Sequence, residues 1–499
     1  MSRTSSFIKG FASTTVQKIL MKVIGLIVTP IVLTYLDKTE YGIWVIIASV
    51  LGYMGLMDFG VTGATSALTA RSNTKDDEHH INVLINNAFV LQSTIGIFII
   101  AIGIMMSSYF PNIFNMGDYP KEDAWLVFLL AIIGYGVSFP TKSLKGLIRA
   151  RQMISLSVWI SFSLFIITTF LNLYLLHLEF GLIALPISTI LVRLLSFPLF
   201  FYFAKKAYPA LKFNFSLVTK KNMKEIFGVS SFWFVGMIAA MVIYSTDSIL
   251  IGIYMSTAMV TMYALTYRLS EVIREFIYSI NFTLMPGIGQ IMGEGDITKA
   301  QNIYLRSQPV ILSLAVVGSV FIYLFNSYFV SAWVGEEYFA GEILSLIFAG
   351  ILFISVVFHT SSLVISADLK LKGVTIVRIS ESILNITLSI WLMQVYGLVG
   401  VALATLISGI FTSFWIVPYM TLKHLDISFI TWFKSIVLKV LGVFIVSVFL
   451  AFLAKKIFIY GVTGVISSLV FFTIFTVLTV WFISMDKETK RMVRAKIGK

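Results

Sequence analysis

The stretch YALTYRLSEVIREFIYSINF, residues 263–282, places Arg268, Glu271, Arg274 and Glu275 inside an otherwise apolar run. Arg268, Glu271 and Glu275 stand at i, i+3 and i+7 and share one helical face, with Arg274 turned away from it. Arginine and lysine in such surroundings hold phosphate oxygens, arginine often through two parallel hydrogen bonds. Acids in the same surroundings pair with cations, relay protons or help to hold ions. The same residue types recur elsewhere: Gln17, Lys18 and Lys22, with the lysines at i and i+4; Asp58; Arg193; Asp247; Arg306; Arg378, Glu381 and Asn385 at i, i+3 and i+7; and Lys439. Eight cations thus oppose five acids.

That imbalance is informative because an uncompensated buried charge is expensive. Purely structural ion pairs would balance, so the surplus predicts an anionic guest. The competing explanation is that long cationic side chains reach the interface from helix ends. It suits Lys18, Arg306 and Lys439. It suits Lys22, Arg193 and Arg268 poorly, since each lies roughly 15 Å from either end of its segment. Arg378 has Glu381 one turn away as a structural partner. Expected ligands for an anion are therefore Lys22, Arg193, Arg268 and Arg274, with Lys18 nearer the entrance and Arg378 in addition; Gln17, Asp58, Glu271 and Glu275 are the other polar groups of the cavity.

The elements that must carry these groups follow from composition. The 499 residues are 58% hydrophobic and only 12% charged, with mean hydropathy +0.93, far from the roughly 25% charged residues of a soluble domain. About 20 apolar residues cross a bilayer core. Fourteen such segments are read, so the expectation is an all-α polytopic membrane protein. With the N-terminus inside, 25 of the 37 basic residues fall in cytoplasmic segments and four outside, Lys38, Lys121, Lys455 and Lys456, which predicts cytoplasmic termini. The net charge of +13 is concentrated in residues 205–225 and 486–499. Such runs set topology and attract anionic lipid headgroups, with no nucleic acid required. No removable signal peptide is read at the N-terminus.

Internal repetition orders the segments. SYF recurs at 108–110 and 327–329, FGLIAL (180–185) answers YGLVGV (396–401), LIRA (147–150) answers VISA (364–367), and Asp58-Phe59 answers Glu275-Phe276, all at offsets of about 217 residues. Six spans fit in that offset, an even number, so the halves are expected to be parallel six-helix repeats, with the substrate site between them. The domains expected are a six-helix lobe over 1–204, a cytoplasmic linker over 205–226, a second six-helix lobe over 227–420, two extra helices over 435–484 and a basic cytoplasmic tail over 485–499.

Other chemistry is set aside. GIGQIMG (287–293) lacks the G-x-G-x-x-G spacing and a preceding strand, and there is no Walker sequence for ATP. His79 and His80 follow acids in a polar loop and carry no metal reading. The absence of cysteine excludes thiol chemistry.

The segment YLDKTEYGIWVIIASVLGYMGLMDFGVTGA (35–64), the SYF loop and the FGLIALPIS entrance to the sixth span resemble the Wzx-type O-antigen flippases of the multidrug/oligosaccharidyl-lipid/polysaccharide (MOP) exporter superfamily. The resemblance covers nearly the whole chain as a pattern of spans and loops. It implies two lobes working by alternating access in the bacterial inner membrane. The implied cargo is an undecaprenyl-diphosphate-linked oligosaccharide for surface polysaccharide synthesis, with a polysaccharide polymerase as partner and no catalysis. It also suggests a lipid-tail groove at the last two spans. In the related lipid II flippases an ion site joins spans 7 and 11. Asp247, Glu381 and Asn385 lie on those spans and are candidates for Na+ or H+ coupling, with structural pairing as the other reading; the order of acid and Asn in span 11 is reversed from the family pattern. Pro30, beside Thr29, is the candidate hinge. Three alternatives stay open: a lipid II flippase, a multidrug or cation exporter of the same superfamily, which would prefer an acidic cavity, and a polytopic glycosyltransferase or ligase, which would need larger outer loops.

Overall fold

In hydrocarbon every backbone N–H and C=O must be satisfied within the chain, so an apolar segment of this length folds as a helix. The computed structural model describes residues 3–71, 78–219, 223, 231–368, 370–457, 461–486, 488 and 490–491, and all of its regular structure is helical. The later part of the expected linker and two thirds of the basic tail lie outside the described residues. The chain divides into two compact units, Met1–Thr261 and Met262–Lys499.

The first unit holds α1 (Arg3–Leu33), α2 (Lys38–Gly55), α3 (Val61–Arg71), α4 (Glu78–Ser107), α5 (Phe110–Ile113), α6 (Lys121–Val137), α7 (Phe139–Ala150), α8 (Ile154–His177), α9 (Ala184–Ala207), α10 (Ser231–Tyr254) and the first turn of α11 (Thr257–Gly293). A capping box starts α2: Glu40 N–H donates to Asp37 Oδ1 at 2.8 Å, and Asp37 N–H to Glu40 Oε2 at 3.0 Å. Gly42 is required there, because a Cβ would stand 1.8 Å from the Thr257 carbonyl oxygen. The seventh span, α10, packs along α2 and so belongs to this unit.

The segment after α9 is strapped to α4. Asn82, Asn86 and Asn87 are buried, and their amides act as peptide groups would at a sheet edge. Asn82 Nδ2 donates to Ala210 O and Asn82 Oδ1 accepts from Lys212 N–H. Asn86 Nδ2 donates to Lys212 O and its Oδ1 accepts from Asn214 N–H, both at 2.8 Å. Asn87 repeats the pattern with Leu217 O and Thr219 N–H, at 3.0 Å each. Tyr208 Oη donates to Glu78 O, and burial pushes its phenol above the usual range, keeping it a neutral donor.

The second unit holds the rest of α11, then α12 (Ile297–Trp333), α13 (Glu342–Ala367), α14 (Leu371–Tyr396), α15 (Leu398–Phe411), α16 (Ser413–His424), α17 (Phe429–Trp432), α18 (Leu438–Ile457) and α19 (Gly461–Thr479). Its largest core joins α11, α12, α13 and α18 through Ile277, Ile311, Leu352 and Val443. A π-turn at Phe433–Val437 leads into α18.

Among the described residues eleven helices are long and apolar enough to cross a membrane, or twelve if the bent pair Met237–Ile243 and Ser245–Tyr254 is one span. The expected fourteen is therefore not reached on length and hydropathy. Helix α11 spans 37 residues but is not in that set.

Candidate functional site

The second span is broken where the sequence reads Gly55-Leu-Met-Asp-Phe-Gly60. A 3₁₀ turn over Leu56–Asp58 is followed by Phe59 at φ 46° and Gly60 at φ 75°. Gly60 adopts that geometry at no steric cost, whereas Phe59 stores about 1–2 kcal/mol of left-handed strain. The break aims Asp58 at the start of α3, where Thr62 Oγ1 donates to Asp58 Oδ1 at 2.7 Å and Thr62 N–H to Oδ2 at 3.4 Å. Gln92 of α4, fully buried, donates its Nε2 to the same Oδ1 at 2.6 Å. Lys142 of α7 brings its ammonium to 3.7 Å from Oδ1.

Helix α7 supplies most of the remaining charge. Phe139 and Pro140 open it, a position where the missing proline N–H costs nothing. Leu144, Leu147 and Ile148 then turn into a core with Ile160 and Phe200. Lys142, Lys145 and Arg149, at i, i+3 and i+7, occupy another face. Lys142 Nζ stands 3.5 Å over the Phe139 ring and Lys145 Nζ 4.7 Å over Phe200. From α9, the Arg193 guanidinium lies 5.7 Å over the ring of Tyr135, whose hydroxyl packs against Gly55 at the break. Lys142, Lys145, Arg149 and Arg193 are close enough that Lys145 feels the repulsion of the other three. Among the described residues no carboxylate lies within ion-pair distance of Lys145, Arg149 or Arg193. Of these four cations only Lys142 has an acid, Asp58, at ion-pair distance among the described residues.

The other expected residues are disposed differently. Gln17 and Lys22 are half-buried and Lys18 exposed on α1, which packs along α8 and runs unbroken through Pro30 to Leu33. Arg268 pairs with Glu271 at 2.8 Å, and Arg378 with Glu381 at 3.1 Å. Buried Arg274 donates to the Tyr267 hydroxyl, and Glu275 is half-buried with no cation at ion-pair distance among the described residues. Asn385 donates to Thr405 Oγ1 at 2.9 Å. Asp247 is buried in the first unit; Glu381 and Asn385 belong to the second. The aligned pair Asp58 and Glu275 differ locally, one at a broken helix and one within continuous α11.

Lys142, Lys145, Arg149, Gln92 and Tyr135 were missing from the sequence expectation. The lysines were counted with the cytoplasmic segments that set topology. The available signal was PTKSLKGLIRA (140–150), in which three cations recur at helical spacing opposite four aliphatic side chains.

A separate feature lies wholly in the second unit. A cavity of about 1080 Å³ is bounded by α12, α13, α16, α17 and α18 and lined almost entirely by carbon, including Phe353, Phe414, Trp415, Trp432, Phe433 and Phe444.

A sequence profile described as polysaccharide biosynthesis protein matches residues 7–292, more than half of the chain. The chain belongs to this polysaccharide biosynthesis family. Members of the MOP superfamily share its fold. The lipid II flippase MurJ, in an inward-closed conformation, superimposes with a TM-score of 0.69 at 15% identity, covering 97% of this chain and 99% of that one. An outward-facing multidrug resistance MATE family transporter reaches 0.59 at 14% identity, over 85% and 96%. A MOP superfamily transporter from Pyrococcus furiosus, described by a reversed polarity of its binding pocket, reaches 0.58 at 13% identity, over 84% and 96%. Comparison with curated proteins finds no match. The family assignment upholds the resemblance read from the first two spans, and the all-helical membrane fold is that of these transporters.

Proposed function

We propose that this family member is a flippase that carries an undecaprenyl-diphosphate-linked oligosaccharide from the cytoplasmic to the outer leaflet of the bacterial inner membrane by alternating access, for surface polysaccharide synthesis. The observation that carries the reading is the cluster of Lys142, Lys145, Arg149 and Arg193, in which, among the described residues, only Lys142 has a carboxylate, Asp58, at ion-pair distance. A diphosphate cannot cross hydrocarbon unaided, and its oxygens are the acceptors that such donors hold with charge-assisted bonds. A site for cationic drugs would need the opposite sign. With the N-terminus cytoplasmic, Lys142, Lys145 and Arg149 lie toward the cytoplasmic end of their span, where the headgroup is made. The polyprenyl tail needs no protein donor. The apolar cavity of the second unit, lined in part by α18, the first of the last two spans, suits a polyprenyl chain at about 0.8 kcal/mol per buried methylene.

Purified protein should bind undecaprenyl diphosphate in preference to undecaprenol, and replacing Lys145 and Arg193 together by alanine should remove that preference. Equal binding of the two lipids, or a preference that survives the double replacement, would refute the reading. A second substrate, lipid II, is favoured by the near-complete structural coverage against the lipid II flippase. Rescue of a strain depleted of that flippase, without rescue of polymer export, would select it.

A further inference from the structure

The diphosphate reading leaves Asp58 unexplained, because a carboxylate paired with Lys142, one of four clustered cations, competes with the cargo. Capping α3 does not require it: an Asn or Ser at this position would accept from Thr62 equally well. What a carboxylate adds is charge, and that charge faces Lys142. The two partners are held unequally. Asp58 is fixed by Gln92 and by two bonds from Thr62, one residue turn away on the same backbone. Lys142 touches it only at 3.7 Å, longer than the about 2.7–2.9 Å of a close charge-assisted bond. Its ammonium is otherwise supported by the Phe139 ring and repelled by Arg193. The acid is clamped and the cation can swing.

We infer that Asp58 is a resident competitor that sets how tightly the phosphate headgroup is held and how readily it leaves. In the absence of cargo, Asp58 holds Lys142. A phosphate oxygen that approaches Lys142 must take the ammonium from Asp58, and on release Asp58 takes it back. Part of the attraction available to the cargo is cancelled in advance, which prevents four cations from trapping a diphosphate. Asp58 is thus a positioning residue acting through Lys142, and the inference rests on the diphosphate reading above.

The test is calorimetric binding of pyrophosphate and of undecaprenyl diphosphate to the full-length protein in detergent. Asp58→Asn keeps the acceptor for Thr62 and removes the competing charge; binding should tighten about tenfold, equal to about 1.4 kcal/mol, while export slows. Asp58→Glu extends the carboxylate toward Lys142, and binding should weaken. In a Lys142→Gln background Asp58→Asn should change nothing. A merely structural Asp58 predicts weakening in both single variants, and that result overturns the inference, as does a tenfold gain that persists without Lys142. Should Asp58→Asn fail to fold, unchanged or tighter binding by Asp58→Glu overturns it alone. Wild-type protein that binds neither probe would remove the diphosphate reading and this inference together; wild-type binding with an indifferent Asp58→Asn removes only this one.

Discussion

Replacing Arg378 by methionine should damage the fold, whereas replacing Arg193 by methionine should damage transport. Arg378 and Glu381 are 7% and 4% exposed and meet at 3.1 Å on one face of α14, and the Arg378 guanidinium also lies 4.0 Å over the Phe358 ring. Loss of the arginine leaves Glu381 as a buried carboxylate without its salt-bridge partner, at a cost of about 3–5 kcal/mol. That is a large share of the roughly 5–15 kcal/mol by which folded proteins are stable. Among the described residues Arg193 has no carboxylate at ion-pair distance to strand, so the same change there should leave the melting temperature close to wild type. The assay is thermal melting of purified protein in detergent, read beside polymer export at matched membrane levels. Adding Glu381→Leu to Arg378→Met should recover most of the lost stability, since two apolar groups replace a broken pair. An Arg378→Met protein that melts like wild type but exports nothing would refute this reasoning and return Arg378 to the ligands of the cargo.

Three further outcomes are expected. Lys145→Ala with Arg193→Ala should weaken pyrophosphate binding about 100-fold or more, at about 1.5–3 kcal/mol for each charged hydrogen bond lost, measured by calorimetry with melting unchanged. Asn86→Leu removes the partners of Lys212 O and Asn214 N–H and should cost about 2–4 kcal/mol from two stranded backbone groups, visible as early cleavage near residue 212 in limited proteolysis. Val440→Trp should fill part of the apolar cavity and reduce affinity for undecaprenyl diphosphate while leaving pyrophosphate binding intact; equal loss for both would separate the cavity from the tail.

Much of the fold was legible because bilayer crossing imposes a length and an apolarity that composition alone reveals, and no strand competes for such segments. The site was legible only in part. Arg193 stood out as a charge far from any helix end and Asp58 as an acid within the second span, and the structure places both around Tyr135 and Lys142. Arg268 stood out for the same reason yet pairs with Glu271 three residues on, as Arg378 does with the Glu381 partner read beside it; the spacing i, i+3 permits both pairs. Lys142, Lys145 and Arg149 were hidden by position. Basic residues after an apolar run read as topology signals, and only the helix that continues past Pro140 half-buries Lys142 and Lys145 and brings Arg149, itself exposed, beside them. The break at Asp58 carried a local mark, the Asp-Phe-Gly sequence, but glycine in a membrane helix is too common to fix a left-handed turn.

The asparagine strap changes what can count as a tether. Fifteen residues that look like slack cable, 205–219, are moored to α4 along most of their course. A rope tied down over that length has no reach of its own, so a pull on it is delivered to α4 first.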